Sequence, residues 1–102
     1  MVKAKSYKEH LLKQLQKPKE AAAYLNAALQ DDDQHVFLLA LRDIAEARGG
    51  MSWLADESDL NRENLYRTLS LKGNPSFFNL LAVLDAIGLE FSVHARTRRA
   101  SA

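Results

Sequence analysis

Arg62, Glu63, Asn64, Tyr66 and Arg67 lie within six consecutive residues, interleaved with Leu65 and followed by Leu69. Leucines four apart share one helix face, so a core on that side turns Arg62, Glu63, Tyr66 and Arg67 outward. Those residue types read base edges. Arg donates two parallel hydrogen bonds to guanine, Asn pairs with adenine, Glu accepts from cytosine, and Tyr bonds phosphate or packs on a thymine methyl. Arg62 and Arg67 are the main base-reading candidates. Ser52, Asn61, Asn64 and Lys72 complete the DNA-contacting set, with Lys72 as a phosphate contact beyond the helix end. The alternative is a solvated face, the common fate of charged helix surface. Asp56 and Glu57 weigh on that side by bringing negative charge close to where phosphates would lie.

To hold such a helix, the chain needs a partner helix in front and braces on either side. Met51 to Ser58 is expected to form a helix of about two turns with Leu54 and Ala55 buried, too short to stand alone. A break at Asp59-Leu60-Asn61 follows, with Asn61 as N-cap of the next helix, in which Leu65 and Leu69 face inward. Two short helices joined by a tight turn and braced by longer ones make a helix-turn-helix. The small Ala55 permits close crossing, Leu60 plugs the turn, and Leu65 anchors the second helix. Asp59 stands where such turns usually carry glycine, a position aspartate tolerates because it visits left-handed conformations.

The braces are legible on both sides. Tyr7, Leu11 and Leu15 share a helix face, and Pro18 suits the first position of a second helix running to Leu29 or Gln30, with Leu25 and Leu29 on one side. Asp31-Asp32-Asp33 reads as a helix N-terminus rather than a calcium loop, because no glycine turn or spaced downstream ligands follow. The third helix buries Phe37, Leu38, Leu41, Ile44 and Ala45, carries Arg48 in its last turn and ends at Gly49-Gly50. After Gly73-Asn74-Pro75, with Asn74 as cap and Pro75 at the first helical position, a last helix buries Leu80, Leu81, Leu84 and Ile87 and closes at Gly88. Leu89 to His94 then alternates apolar and polar residues. This predicts a short strand with Leu89, Phe91 and Val93 on one face. It has no convincing pairing segment in its own chain, so a second copy is its expected partner, making these residues the candidate dimer interface.

The expected fold is all-α: a five- to six-helix, lambda-repressor-like helix-turn-helix domain with a short C-terminal β-strand. Residues 1–30 form an N-terminal helical extension, 31–88 the DNA-binding domain, and 89–102 a strand and basic tail. The 102 residues suffice for one domain with a modest core, and 47% hydrophobic against 26% charged residues is far from the profile of disorder. Both ends are basic, through Lys3, Lys5, Lys8, Lys13, Lys17 and Lys19 and through Arg96, Arg98 and Arg99, while the middle is acidic. The N-terminal lysines suit a phosphate-binding arm, a protein-facing surface or a solvated face.

With no cysteine, disulfides, cysteine-ligated zinc and thiol chemistry are excluded, and a reducing cytoplasm is the expected setting. No apolar run approaches a membrane span. His10, His35 and His94 match no metal spacing, and nothing resembles a strained nucleophile turn or a phosphate-cradling loop. The chain is therefore expected to need no cofactor and to catalyse nothing. Trp53 is expected to be partly buried.

Three groups of residues carry a resemblance. They are Ala23-Tyr24-Leu25-Asn26-Ala27-Ala28-Leu29; Ala40 to Gly49 with Met51-Ser52 and Leu54-Ala55; and Asn61 to Ser70 followed by Gly73-Asn74-Pro75-Ser76. On these stretches the chain resembles the antitoxin, or antidote, proteins of bacterial addiction modules, in the HigA-like branch of the Xre/Cro-like helix-turn-helix group. The resemblance implies a dimer that binds double-stranded operator DNA, represses its own operon and neutralises a RelE-like ribonuclease toxin. The N-terminal helices, about residues 6 to 30, are expected to contribute to toxin binding. Departures are Asp59 for the usual glycine, Asn61 where serine is common, and the paired Gly49-Gly50. Two alternatives stay open: a helical protein-interaction module without DNA binding, and a stand-alone phage-type repressor without a toxin.

Overall fold

The computed structural model describes residues 4–96; the expected basic tail beyond Arg96, and Lys3, lie outside them. Six helices form in order: α1 (Ala4–Gln14), α2 (Pro18–Leu29), α3 (His35–Arg48), α4 (Met51–Ser58), α5 (Arg62–Thr68) and α6 (Phe77–Ala86). The fold is all-α, and none of these helices is long and apolar enough to cross a membrane.

α3 is the axis of the domain. Its Phe37, Leu38, Ala40, Leu41, Ile44, Ala45 and Ala47 are all buried, a breadth of apolar surface that a helix tolerates only when surrounded. α1, α2 and α4 pack on it. α2 begins with Pro18 at its first turn and offers Ala21, Leu25 and Ala28 to the core. Tyr24 donates a 2.6 Å hydrogen bond to the Asp43 carboxylate across the α2–α3 seam, and burial followed by that carboxylate pushes its phenol well above the usual tyrosine range. Leu15, just past α1, joins the same core, but Tyr7 and Leu29 do not: 64% and 53% exposed, they extend their expected faces beyond the packed surface.

The Asp31–Asp33 cluster lies just ahead of α3, whose N-cap residue is Gln34 without a side-chain cap, and only Asp33 reaches a helix amide. The Asp33 carboxylate accepts the His35 amide at 2.9 Å, and the Asp31 carboxylate accepts the Asp33 amide at 2.8 Å. The His35 amide, with the His35 ring 3.2 Å away, holds the Asp33 carboxyl below the usual carboxylate value. Gly50, at φ +97°, turns the chain from α3 into α4. Trp53 is half-buried over Gly49.

Two expectations are corrected at the C-terminal end. α6 starts at Phe77, not Pro75, because the cap is Ser76: its hydroxyl accepts the Asn79 amide at 3.1 Å, so Asn74 and Pro75 stay in the preceding loop. Val83, Leu84 and Ile87 are buried, whereas Leu80 is half-buried and Leu81 is 36% exposed. Residues 89–96 form no strand, and none occurs among the described residues. A strand needs a ladder partner, and here Phe91 takes the segment elsewhere: its ring stacks between Phe37 and Phe77 at centroid distances of 6.1 and 6.2 Å. Leu89 is half-buried and Val93 is 96% exposed, so the three do not form one buried face.

Candidate nucleic-acid interface

α4 and α5 are joined by three residues that each have a separate task. Asp59 ends α4 in the left-handed region, at φ 60° and ψ 33°, the conformation a helix-terminating glycine would supply. Leu60 donates its amide to Ala55 at 3.1 Å and is half-buried in the turn. Asn61 accepts the Asn64 amide at 3.0 Å and starts α5. Seven residues are too few for an isolated helix, so α5 depends on this cap and on Leu65 and Leu69, 2% and 1% exposed.

Burial of those leucines sets the orientation of the rest. Arg62, Glu63, Asn64, Tyr66 and Arg67 are all exposed, as are Ser52 on α4, Asn61 and Lys72. The structure therefore groups Arg62, Glu63, Asn64, Tyr66 and Arg67 on one short helix. The Tyr66 ring has two guanidiniums over it, Arg42 from α3 at 5.4 Å and Arg62 at 5.8 Å. Stacking on an aromatic face steadies a flexible cation without using its hydrogen-bond donors. No ion pair ties Arg67 to another described residue.

Two residues outside the expected set hold the far end of α5. Arg42 donates from Nη1 to the Leu69 carbonyl at 3.4 Å, and the His35 ring donates from Nε2 to the Gly73 carbonyl at 3.1 Å. They stand seven residues apart on α3, two turns along one face, and clasp both ends of the loop that carries Lys72. That spacing was visible in the sequence; what it grips was not. The loop itself comes so close to α5 that a Cβ on Gly73 would lie 1.8 Å from the Thr68 carbonyl oxygen.

The electrostatics of the surface are mixed. From Met51 to Lys72 there are four acids (Asp56, Glu57, Asp59, Glu63) and three bases (Arg62, Arg67, Lys72), a formal charge of −1. Asp56, Glu57 and Asp59 are all exposed beside the turn. A surface of this kind can select by geometry at a few positions, but it cannot hold a polyanion by bulk charge.

Comparison with known proteins gives a family match over residues 6–95, to a family described as "Probable addiction module antidote protein". A relative from Haemophilus influenzae (strain KW20 / Rd), described only as an uncharacterized protein, is 42% identical over 85 residues, covering 83% of this chain and 82% of its own length. No solved structure matches.

Proposed function

The chain belongs to the family of probable addiction module antidote proteins, and from that premise we propose that it is a dimeric operator-binding antitoxin of the HigA-like, helix-turn-helix kind. In this reading α5 enters the major groove, Arg62 and Arg67 read guanine edges, and Asn61, Glu63 and Asn64 discriminate neighbouring bases. Ser52, Tyr66 and Lys72 position the duplex through phosphates. The protein represses its own operon and neutralises a RelE-like toxin in the cytoplasm, by binding and not by catalysis.

The observation that supports this best is the state of α5: a helix with buried leucines, capped at one end, clasped at the other, with its whole polar face open. Toxin contact is assigned to α1, α2 and the turn between them, where Lys8, Lys13, Lys17 and Lys19 are exposed. The basic tail and residues 89–95 complete the proposed dimer. Gel shift with the chain's own upstream DNA tests the reading. Retardation there, with tenfold more protein required for scrambled DNA of the same length, supports it, and equal retardation of both counts against it.

A further inference from the structure

The ring of His35, the first residue of α3, stands between two oxygens that can only accept. Nδ1 is 3.2 Å from the Asp33 carboxylate, and Nε2 is 3.1 Å from the Gly73 carbonyl. A neutral imidazole carries one N–H, so it serves one of the two and turns a bare lone pair toward the other. The imidazolium carries two and serves both. The charged groups on the elements packed around the ring are few. Asp31 and Asp32 lie in the turn before α3, Lys72 is the one cation of the facing loop, and Gly73 to Leu84 brings no charge at all. The segment after α6, which reaches α3 through Phe91 on Phe37, carries Glu90 and His94, and the His94 ring is engaged by Ser92 at 3.0 Å.

We propose that His35 is a proton-operated clasp, closed on the loop that carries Lys72 when the ring is charged and open when it is neutral. Which bond is lost follows from the acceptors. A carboxylate holds an N–H more strongly than a neutral carbonyl does, so the single proton of the neutral ring stays on Nδ1 with Asp33, and Nε2 lets go of Gly73. Gly73 is buried, and among the described residues the ring is the only donor to its carbonyl, so the loop loses its tie there outright.

The other tie persists. Arg42, on the Leu69 carbonyl at 3.4 Å, keeps its charge throughout the range in which histidine titrates. Deprotonation therefore frees the Lys72–Gly73 end of the loop and leaves the end of α5 held. The sign is definite: the closed clasp needs the charged ring, so its contribution is full on the acid side of the histidine range and is lost as pH rises from about 5 to 8. The consequence for DNA rests on the reading above. Lys72, next to the released residue, loses its fixed position against a phosphate, so operator affinity falls over the same interval.

Nitrogen-15 NMR of the histidine rings in the full chain, from about pH 5.5 to 8, tests the clasp without DNA. At the acid end both ring nitrogens of His35 should be protonated, and at the alkaline end the Nδ1–H tautomer should remain. The Lys72 and Gly73 amides should shift with the same midpoint while those of Leu69 and Ser70 stay in place. The Gly73 amide is bonded to the Ser70 carbonyl at 3.0 Å, and its hydrogen exchange should quicken about two- to tenfold beyond the intrinsic pH effect, the worth of one hydrogen bond. His35→Gln should abolish these loop changes, and Asp33→Asn should remove the preference for the Nδ1–H tautomer. A neutral Nε2–H tautomer in the wild type overturns the proposal. So does a ring that titrates while the Lys72 and Gly73 amides do not follow. Operator titration at about pH 6 and 8 separates the clasp from the DNA reading: a two- to tenfold loss of affinity is expected for the wild type and none for His35→Gln. Loop amides that follow the ring without any change in affinity would sustain the clasp and count only against the Lys72 phosphate contact.

Discussion

Gly73→Ala tests how tightly the loop after α5 is held. A Cβ there would lie 1.8 Å from the Thr68 carbonyl oxygen and 2.5 Å from its carbon, both backbone atoms at the end of the helix. Restoring ordinary contact requires roughly 1.5 Å of movement between the loop and α5, beyond what a packed interior absorbs without strain. Overpacking of this kind costs about 1–3 kcal/mol, and the same shift draws the Gly73 carbonyl from the His35 ring, worth about 1 kcal/mol more. The expected loss is about 2–4 kcal/mol, equivalent to a melting temperature lower by roughly 10–25 °C in a domain of this size. Urea unfolding followed by circular dichroism measures it. Gly88→Ala is the control: at φ +80° with nothing within 4 Å of the added carbon, it bears only the left-handed penalty of about 1–2 kcal/mol. If Gly73→Ala is within 0.5 kcal/mol of wild type, or no worse than Gly88→Ala, the loop is not clasped as described.

Asp59→Gly should stabilise the fold by about 0.5 kcal/mol by relieving left-handed strain, net of the entropy glycine adds to the unfolded chain, as urea midpoints will show. Asp59→Asn should leave stability nearly unchanged while tightening operator binding in a titration, since it removes only the negative charge. Asn61→Ala should cost about 1 kcal/mol through loss of the α5 cap, again read from urea unfolding. The pH dependence has a definite sign. The Asp33 carboxyl lies below its ordinary 3.8 in the folded chain, so its contribution is fully present above 3.8 and is lost as pH falls through the folded value. Urea midpoints between pH 6 and 2 should therefore fall less steeply for Asp33→Asn than for wild type.

Local chemistry made most boundaries legible. Pro18 fixes its own φ, Asn61 caps with its side chain and Gly50 tolerates the positive φ of the α3–α4 turn, and helices begin or end there. Asn74 and Ser76 illustrate the limit. Both can cap, both stand near Pro75, and which hydroxyl or amide meets a free N–H depends on how α6 packs. The alternation of residues 89–94 misled for a related reason. Period two reports which side chains share a face, not whether a ladder partner exists, and Phe91 found two rings instead. The exposed face of α5 was legible because the four-residue spacing of Leu65 and Leu69 fixes which side is buried. The grip of His35 and Arg42 on the Gly73 and Leu69 carbonyls joins residues 38 and 27 apart, and no local pattern carries that.

The central claim is that α5 reads bases, and fluorescence anisotropy with the native upstream duplex and a scrambled duplex, at two or more salt concentrations, tests it most directly. With Lys72 the one base assigned to phosphate, the salt slope should be shallow, about −1 per protomer. Replacing Lys72 should weaken both duplexes alike and reduce the slope by about one. Arg62→Ala or Arg67→Ala should cost about 1–3 kcal/mol on the native duplex and relax preference at one base pair, lowering the native-to-scrambled ratio roughly 5- to 150-fold. If both variants leave that ratio unchanged while the wild type binds, α5 does not read sequence, and the protein-interaction reading takes its place.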